Sequence, residues 1–252
     1  MLNLSSIDAK KQSIDDCRPL NNKTVLSIID DLRLRYTYNS NAIEGNTLSI
    51  SETKAILEHG ITIGGKTLNE HFEAINHDKA INLLLKFVDK NDPLSIKVIL
   101  DFHSIILKNI DDEWAGRFRN GNVRISGAKN TPVSGTKVYD SMVEFLEQIN
   151  QPSNLHPILK AAAVHLDFVK IHPFFDGNGR TARLMMNLVL MQHGYPITII
   201  GVENRVDYCQ AIEDYCLTGN SERFNDIVVK SVEDSLDIYL ETLMDIDMDI
   251  SL

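Results

Sequence analysis

Ile171-His172-Pro173-Phe174-Phe175-Asp176-Gly177-Asn178-Gly179-Arg180-Thr181-Ala182-Arg183 is the stretch from which the chain is best read. One helix-like run ends near Ile171 and another begins near Arg180. The Gly-Asn-Gly turn between them offers consecutive backbone N–H groups, and the following helix adds the positive end of its dipole. Together these favour bound phosphate oxygens. Gly177 and Gly179 allow positive φ and a close approach of phosphate to the backbone. Arg180 and Arg183 are neighbours on one helix face and can reach the same anion. Asp176 beside such a cradle would repel the ligand unless it held a Mg²⁺ shared with the phosphates. His172 can accept a proton near neutral pH, as activation of a hydroxyl requires. An ordinary helix–loop–helix corner needs only the glycines. The full set points to phosphoryl or nucleotidyl transfer.

Moving outward, Val25, Ile29, Leu32, Tyr36 and Ile43 follow a helical period, and Gly45 suits the end of that helix. Ser40 and Glu44 lie on its one face. A carboxylate in a last helical turn meets the negative end of the dipole, so Glu44 is either solvated or offset by a cation. Residues 1–20 are polar and weakly patterned, as an N-terminal arm would be. Ser49 with Glu52 makes a capping box for a helix through His59. Gly60 to Thr67 satisfies the G-x-x-x-x-G-K-[ST] pattern of a P-loop, yet a helix rather than a strand leads into it. Thr67 with Glu70 makes another capping box, so a structural turn is the better account.

Leu68 to Val88 is a long helical run carrying Glu70, His71, Glu73 and His77, without His-Glu-x-x-His spacing. Asp92-Pro93 starts the next, where Ile96, Leu100, His103 and Leu107 share a face and make His103 a packing residue. Residues 112–138 break the helical pattern, and Asn122 to Ser126 alternates as a short strand does. A hairpin follows, either plain surface or an edge on which an extended peptide could add. Helices resume at Val138–Ile149 and at Pro157, whose helix buries Ile158, Ala162, Leu166 and Val169. Leu184 to Met191 is almost wholly apolar and marks a central buried helix. A further helix opens at Arg205 and ends near Gly219, with Tyr208 in core packing or in the wall of a base pocket. Phe224 to Leu243 is amphipathic.

The chain has 252 residues, enough for a substantial core in one domain, and its net charge of −10 argues against nonspecific nucleic-acid binding. Its three cysteines, Cys17, Cys209 and Cys216, lack metal spacing and suit a reducing compartment. No signal-peptide pattern and no bilayer-length apolar run is found, so the expectation is a cytoplasmic protein without a membrane partner.

The stretch from His172 to Arg183 resembles the signature of the Fic family, His-x-Phe-x-Asp/Glu-Gly-Asn-Gly-Arg-x-x-Arg, at every specified position. Ser40 to Gly45 resembles that family's inhibitory motif, Ser/Thr-x-x-x-Glu-Gly/Asn. The resemblance runs from about Tyr36 to about Ser231 and implies an all-α, Fic-type helical domain over residues 21–252 with a small β-hairpin flap. Within it the inhibitory helix would span about 24–45, the flap about 122–134 and the catalytic motif 172–183. It implies transfer of AMP from ATP to a Ser, Thr or Tyr hydroxyl of a target protein, the chain itself included. His172 would then be the general base and Asp176 the Mg²⁺ ligand. Gly177, Asn178, Gly179, Arg180, Arg183 and Tyr208 would bind ATP, while Arg124, Ile125 and Ser126 of the flap dock the target. Glu44, one turn from Ser40, would pair with Arg183 and block productive ATP binding. The same resemblance admits removal of AMP by a water that Glu44 orients, or a nucleotide-binding regulator without turnover. UTP or GTP in place of ATP, the target and homo-oligomer formation are left open.

Overall fold

The computed structural model describes residues 4–18 and 22–249. Among these residues ten α-helices follow one another: α1 (Leu4–Asp16), α2 (Asn22–Ile43), α3 (Ile50–His59), α4 (Leu68–Lys90), α5 (Ile96–Ile106), α6 (Val138–Ile149), α7 (Pro157–Ile171), α8 (Asn178–Gln192), α9 (Arg205–Thr218) and α10 (Glu222–Asp249). Short 3₁₀ turns at Gly135–Lys137 and Val202–Asn204 precede α6 and α9. The all-α expectation holds.

Helix α8 is the axis of the fold. Leu184, Met185, Met186, Leu188 and Leu190 are fully buried, each contributing roughly 1.5–3 kcal/mol on removal from water. Helices α4, α5 and α7 pack around it. Pro157 opens α7, and His156 caps it by accepting the Ile158 N–H at Nδ1 (3.3 Å). The result is a rigid seat for the two arginines of α8.

Two features differ from the sequence-based expectation, the N-terminal segment and the hairpin, while the P-loop-like turn agrees with it. Of the N-terminal arm expected over residues 1–20, Leu4–Asp16 form α1, which lies against α10 with Ile7 and Ile14 buried, while residues 1–3, 19 and 20 lie outside the described residues. Lys10 bridges Glu233 (3.0 Å) and Asp237 (2.7 Å) there, and Asp8 accepts the Tyr195 hydroxyl (3.0 Å). Two apolar residues seven apart gave too thin a stripe to announce this packing.

The P-loop-like segment is a turn between α3 and α4, as its helical lead-in required. Gly60 adopts φ 63° as the C-cap of α3, and Thr67 and Glu70 form the capping box of α4. Lys66 Nζ donates to the Thr47 carbonyl (2.6 Å) and hydroxyl (3.1 Å), so it braces the loop after α2.

The expected β-hairpin at 122–134 carries no strand among the described residues. Side chains take the place of a backbone ladder between its two arms. Arg119 donates to the carbonyls of Gly121 (2.7 Å) and Val133 (2.6 Å), and Asn122 Oδ1 accepts the Gly135 N–H (3.0 Å). Lys129 N–H is taken by Glu213 Oε1 of α9 (2.8 Å). These bonds tie the two ends of the segment and one point of its tip, with no ladder between its arms.

Candidate active site

The site forms where α7 stops and α8 starts. His172 ends α7 in the left-handed region, at φ 54° and ψ 61°, with its N–H on the Phe168 carbonyl (3.0 Å). A non-glycine residue there costs on the order of 1–3 kcal/mol, so the surroundings must hold it. They do. Arg119 Nε donates to the His172 carbonyl (2.7 Å) and the Arg119 N–H to that of Pro173 (2.9 Å).

The turn that follows is closed by Asn178. Its Oδ1 accepts the Phe174 N–H (3.0 Å) while its Nδ2 donates to the Phe174 carbonyl (2.9 Å). Asn178 thus shapes the cradle with its side chain and leaves the first N–H groups of α8 to face a ligand. Gly177 sits at φ 75° as N-cap, where a Cβ would come 3.2 Å from the His103 ring.

His103 does more than pack. Its Nδ1 accepts the Gly116 N–H (3.0 Å), so Nε2 carries the proton and donates to the Asp176 carbonyl (3.0 Å). The ring stacks on Phe174 at 3.5 Å, and burial lowers its pKa to about 4. A packing role was expected from its helix face; the loop it reaches lies 73 residues away in sequence, and no local pattern signals that.

Both arginines of α8 are buried. Arg180 donates to Glu73 Oε1 (3.1 Å) and Asp176 Oδ2 (3.2 Å). In the sequence Glu73 shares its helix with Glu70, His71 and His77, a set without metal-site spacing. Among the described residues no group of three His, Cys, Asp or Glu could hold a metal, and Glu73 also accepts Asn46 Nδ2 (2.8 Å). Arg183 is engaged at every nitrogen. Nε donates to Ser40 Oγ (3.0 Å), Nη1 to the Tyr208 hydroxyl (2.9 Å), and Nη2 to the Ser40 carbonyl (2.8 Å) and Glu44 Oε1 (2.7 Å). Between the two sequence readings of Tyr208 the structure finds an intermediate. The ring is buried against His165 and Phe224 and its hydroxyl holds Arg183, while one edge lines the cavity described next.

A cavity of ≈ 490 Å³ opens over the cradle, lined by Glu44, Ile125, Ser126, His172, Gly179 and Tyr208 among others. Arg124, grouped with Ile125 and Ser126 in the sequence, is exposed and does not line it. Burial, reinforced by the Arg119 charge, lowers the His172 pKa to about 4, against the opposing Val169 carbonyl and the Glu44 and Asp176 charges. The imidazole is therefore neutral at pH 7 and free to take a proton. Asp176 has 64% of its side chain exposed, and both of its oxygens are engaged only once, by the Gly177 N–H (2.6 Å) and by Arg180. A carboxylate with spare lone pairs beside a helix start fits the way Mg²⁺ is usually held when phosphate is bound, by one carboxylate and phosphate oxygens.

Fold and site together define an all-α protein built around a glycine-flanked helix start with a neutral histidine beside it. The sequence pattern of the Fic/DOC family matches residues 93–190. Protein adenylyltransferase fic-1 of Caenorhabditis elegans is 38% identical over 247 residues, 94% of this chain and 48% of that protein. Protein adenylyltransferase Fic of Drosophila willistoni is 32% identical over 249 residues, 98% of this chain and 49% of that one. The solved structure of C. elegans Fic-1 (aa134–508) superposes with a TM-score of 0.87 at 35% identity, over 96% of this chain and 72% of that one. A Fic domain containing signaling protein from Bacteroides thetaiotaomicron gives 0.83 at 27% identity, over 95% and 97%. The chain belongs to the Fic/DOC family. It spans about half the length of the curated relatives it matches.

Proposed function

We propose that the chain is a protein adenylyltransferase held in a resting state by Glu44. The observation that carries this is the position of the Glu44 carboxylate. It is bonded to Arg183, and its Oε1 lies 2.2 Å from where a Cβ on Gly179 would stand. A side-chain anion thus occupies the mouth of the anion cradle and engages the arginine a triphosphate would need.

With Glu44 displaced, the triphosphate lies along the start of α8, gripped by Arg180 and Arg183. Asp176 would hold Mg²⁺, which when bound offsets charge on the phosphate oxygens. A target hydroxyl attacks the α-phosphorus and gives its proton to neutral His172. The new bond joins the hydroxyl oxygen to phosphorus, and the bond to the bridging oxygen of the β-phosphate breaks. AMP stays on the target and pyrophosphate leaves. Names of the relatives, each an adenylyltransferase at above 30% identity, support this reading.

Removal of AMP is the second reading, favoured by one observation: Glu44 and His172 line the same cavity, so the carboxylate could orient a water there. The test uses α-labelled ATP. Glu44→Gly should label protein, and the added His172→Ala should abolish labelling. A Glu44→Gly chain that labels nothing, while the native chain releases AMP from a modified target, would reverse the assignment.

A further inference from the structure

Arg119 stands apart from the two arginines of the cradle. Arg180 and Arg183 each meet a carboxylate, whereas Arg119, only 1% exposed, spends its guanidinium on main-chain carbonyls. Nε donates to His172 (2.7 Å), Nη1 to Gly121 (2.7 Å), and Nη2 to Val133 (2.6 Å) and more distantly to Ile171 (3.4 Å). Its own N–H reaches Pro173 (2.9 Å).

The geometry of these acceptors is informative. Gly121 and Val133 are the two feet of the 122–134 segment, and Ile171 and His172 are the end of α7. Close approach of the feet is confirmed by Gly135, where a Cβ would lie 2.6 Å from the Asn120 carbonyl carbon. One planar fork therefore fixes both feet and the histidine backbone in a single frame. A paired hairpin would hold its own arms together, but the arms here have no backbone ladder to do so. A lysine could not replace the fork, since its single nitrogen cannot span acceptors on three sides.

We propose that Arg119 is the positioning residue that sets the 122–134 segment, and any target laid against it, at a fixed distance from His172. This rests on the adenylyl-transfer reading above, in which a target hydroxyl must meet His172. None of the donors of Arg119 is spent on the start of α8, so nucleotide binding is not its business. The effect belongs to alignment of the hydroxyl, where a displacement of about 1 Å can cost on the order of 100-fold in rate.

The test is made in the Glu44→Gly chain with labelled ATP, reading the rate of self-labelling against ATP affinity by calorimetry. Arg119→Met should slow labelling about 100-fold and leave the ATP Kd within about twofold, which a merely destabilised cradle would not do; Arg119→Lys should fall between. A folded variant of either kind that labels at the parent rate, or one that loses ATP affinity in step with rate, overturns the proposal. A parent that labels nothing is instead a failure of the adenylyl-transfer reading. Hydrogen exchange on the unsubstituted chain then decides, and it decides equally if both variants fail to fold. The amides of Arg119, Gly135 and His172 should open together, and openings that differ by more than about tenfold overturn the common frame.

Discussion

Arg183 and Glu44, 139 residues apart in sequence, are joined by a 2.7 Å bond from Nη2 to Oε1. The guanidinium is 1% exposed and the carboxylate side chain 36%, so the pair sits at the boundary between core and cavity. Burial works against the Arg183 charge, yet Tyr208 and Glu44 hold its pKa above the usual value. The arginine stays charged and in place whichever anion faces it. Exchange of the carboxylate for a phosphate is then a change of partner rather than a rearrangement of the core.

Glu44→Gly should therefore tighten ATP binding. A hydrogen bond between charged groups contributes roughly 1.5–3 kcal/mol, and releasing it before the ligand arrives corresponds to about 10- to 100-fold in affinity. Calorimetric titration of the native and substituted chains measures the ratio directly. Equal affinities would mean that the carboxylate does not compete with the triphosphate.

Acid should weaken the fold in a defined window. His172 and His103 are each depressed to about 4 from 6.5, and burial also drives His77 and His165 well down. With depressed native values, the unfolded chain binds more protons below about pH 6.5. Stability is thus fully present above that pH and is lost as pH falls through about 4. His103 alone, being fully buried, accounts for roughly 3 kcal/mol of that loss. Urea midpoints should be level between pH 7 and 8 and decline steadily from pH 6.5 to 4.5. In the Glu44→Gly chain the acid limb of the rate should follow the low histidine value, and a limb centred near 6.5 would contradict the lowered His172 pKa.

His103→Phe keeps the stack on Phe174 but strips two main-chain groups in part-buried bonds, the Gly116 N–H and the Asp176 carbonyl, of their partner. Each orphaned group costs about 1–3 kcal/mol. For a chain of this length that corresponds to a fall in Tm of roughly 10 °C. A fall under about 3 °C, read by circular dichroism, would show that water or a shifted loop satisfies both groups.

How much of this could be read in advance depends on how local each signal is. The α7–turn–α8 corner, the capping boxes at Ser49 and Thr67, and the end of α9 at Gly219 are set by neighbours within a few positions. The alternation of Asn122 to Ser126 misled because it reports side-chain spacing and not where backbone groups bond; only the ends of the segment, at Gly121 and Val133, are tied, and by Arg119. Nothing in Gly116 to Gly121 separates an arginine buried on carbonyls from one in water. Glu44 was equally ambiguous, since periodicity left it either solvated or paired, and its tie to Arg183 spans more than half the chain.

Gly179 offers the sharpest separation of the two roles assigned to the cradle. A methyl group there would meet Glu44 Oε1 at 2.2 Å and Arg183 Nη1 at 3.1 Å. The carboxylate is half-exposed and can swing into the cavity, whereas the guanidinium is enclosed and cannot. Gly179→Ala should thus expel Glu44 as Glu44→Gly does, but it also fills the space through which phosphate approaches the backbone. In the Glu44→Gly background only the second effect remains, and ATP affinity should drop by at least about tenfold, some 1.4 kcal/mol. In the native background the expelled carboxylate offsets part of that loss, so the measured drop should be smaller. The two substitutions must be non-additive because they meet on the same atoms. Equal losses in both backgrounds would place the carboxylate and the phosphate at different sites, and a Gly179→Ala chain as active as Glu44→Gly would remove the phosphate from the start of α8.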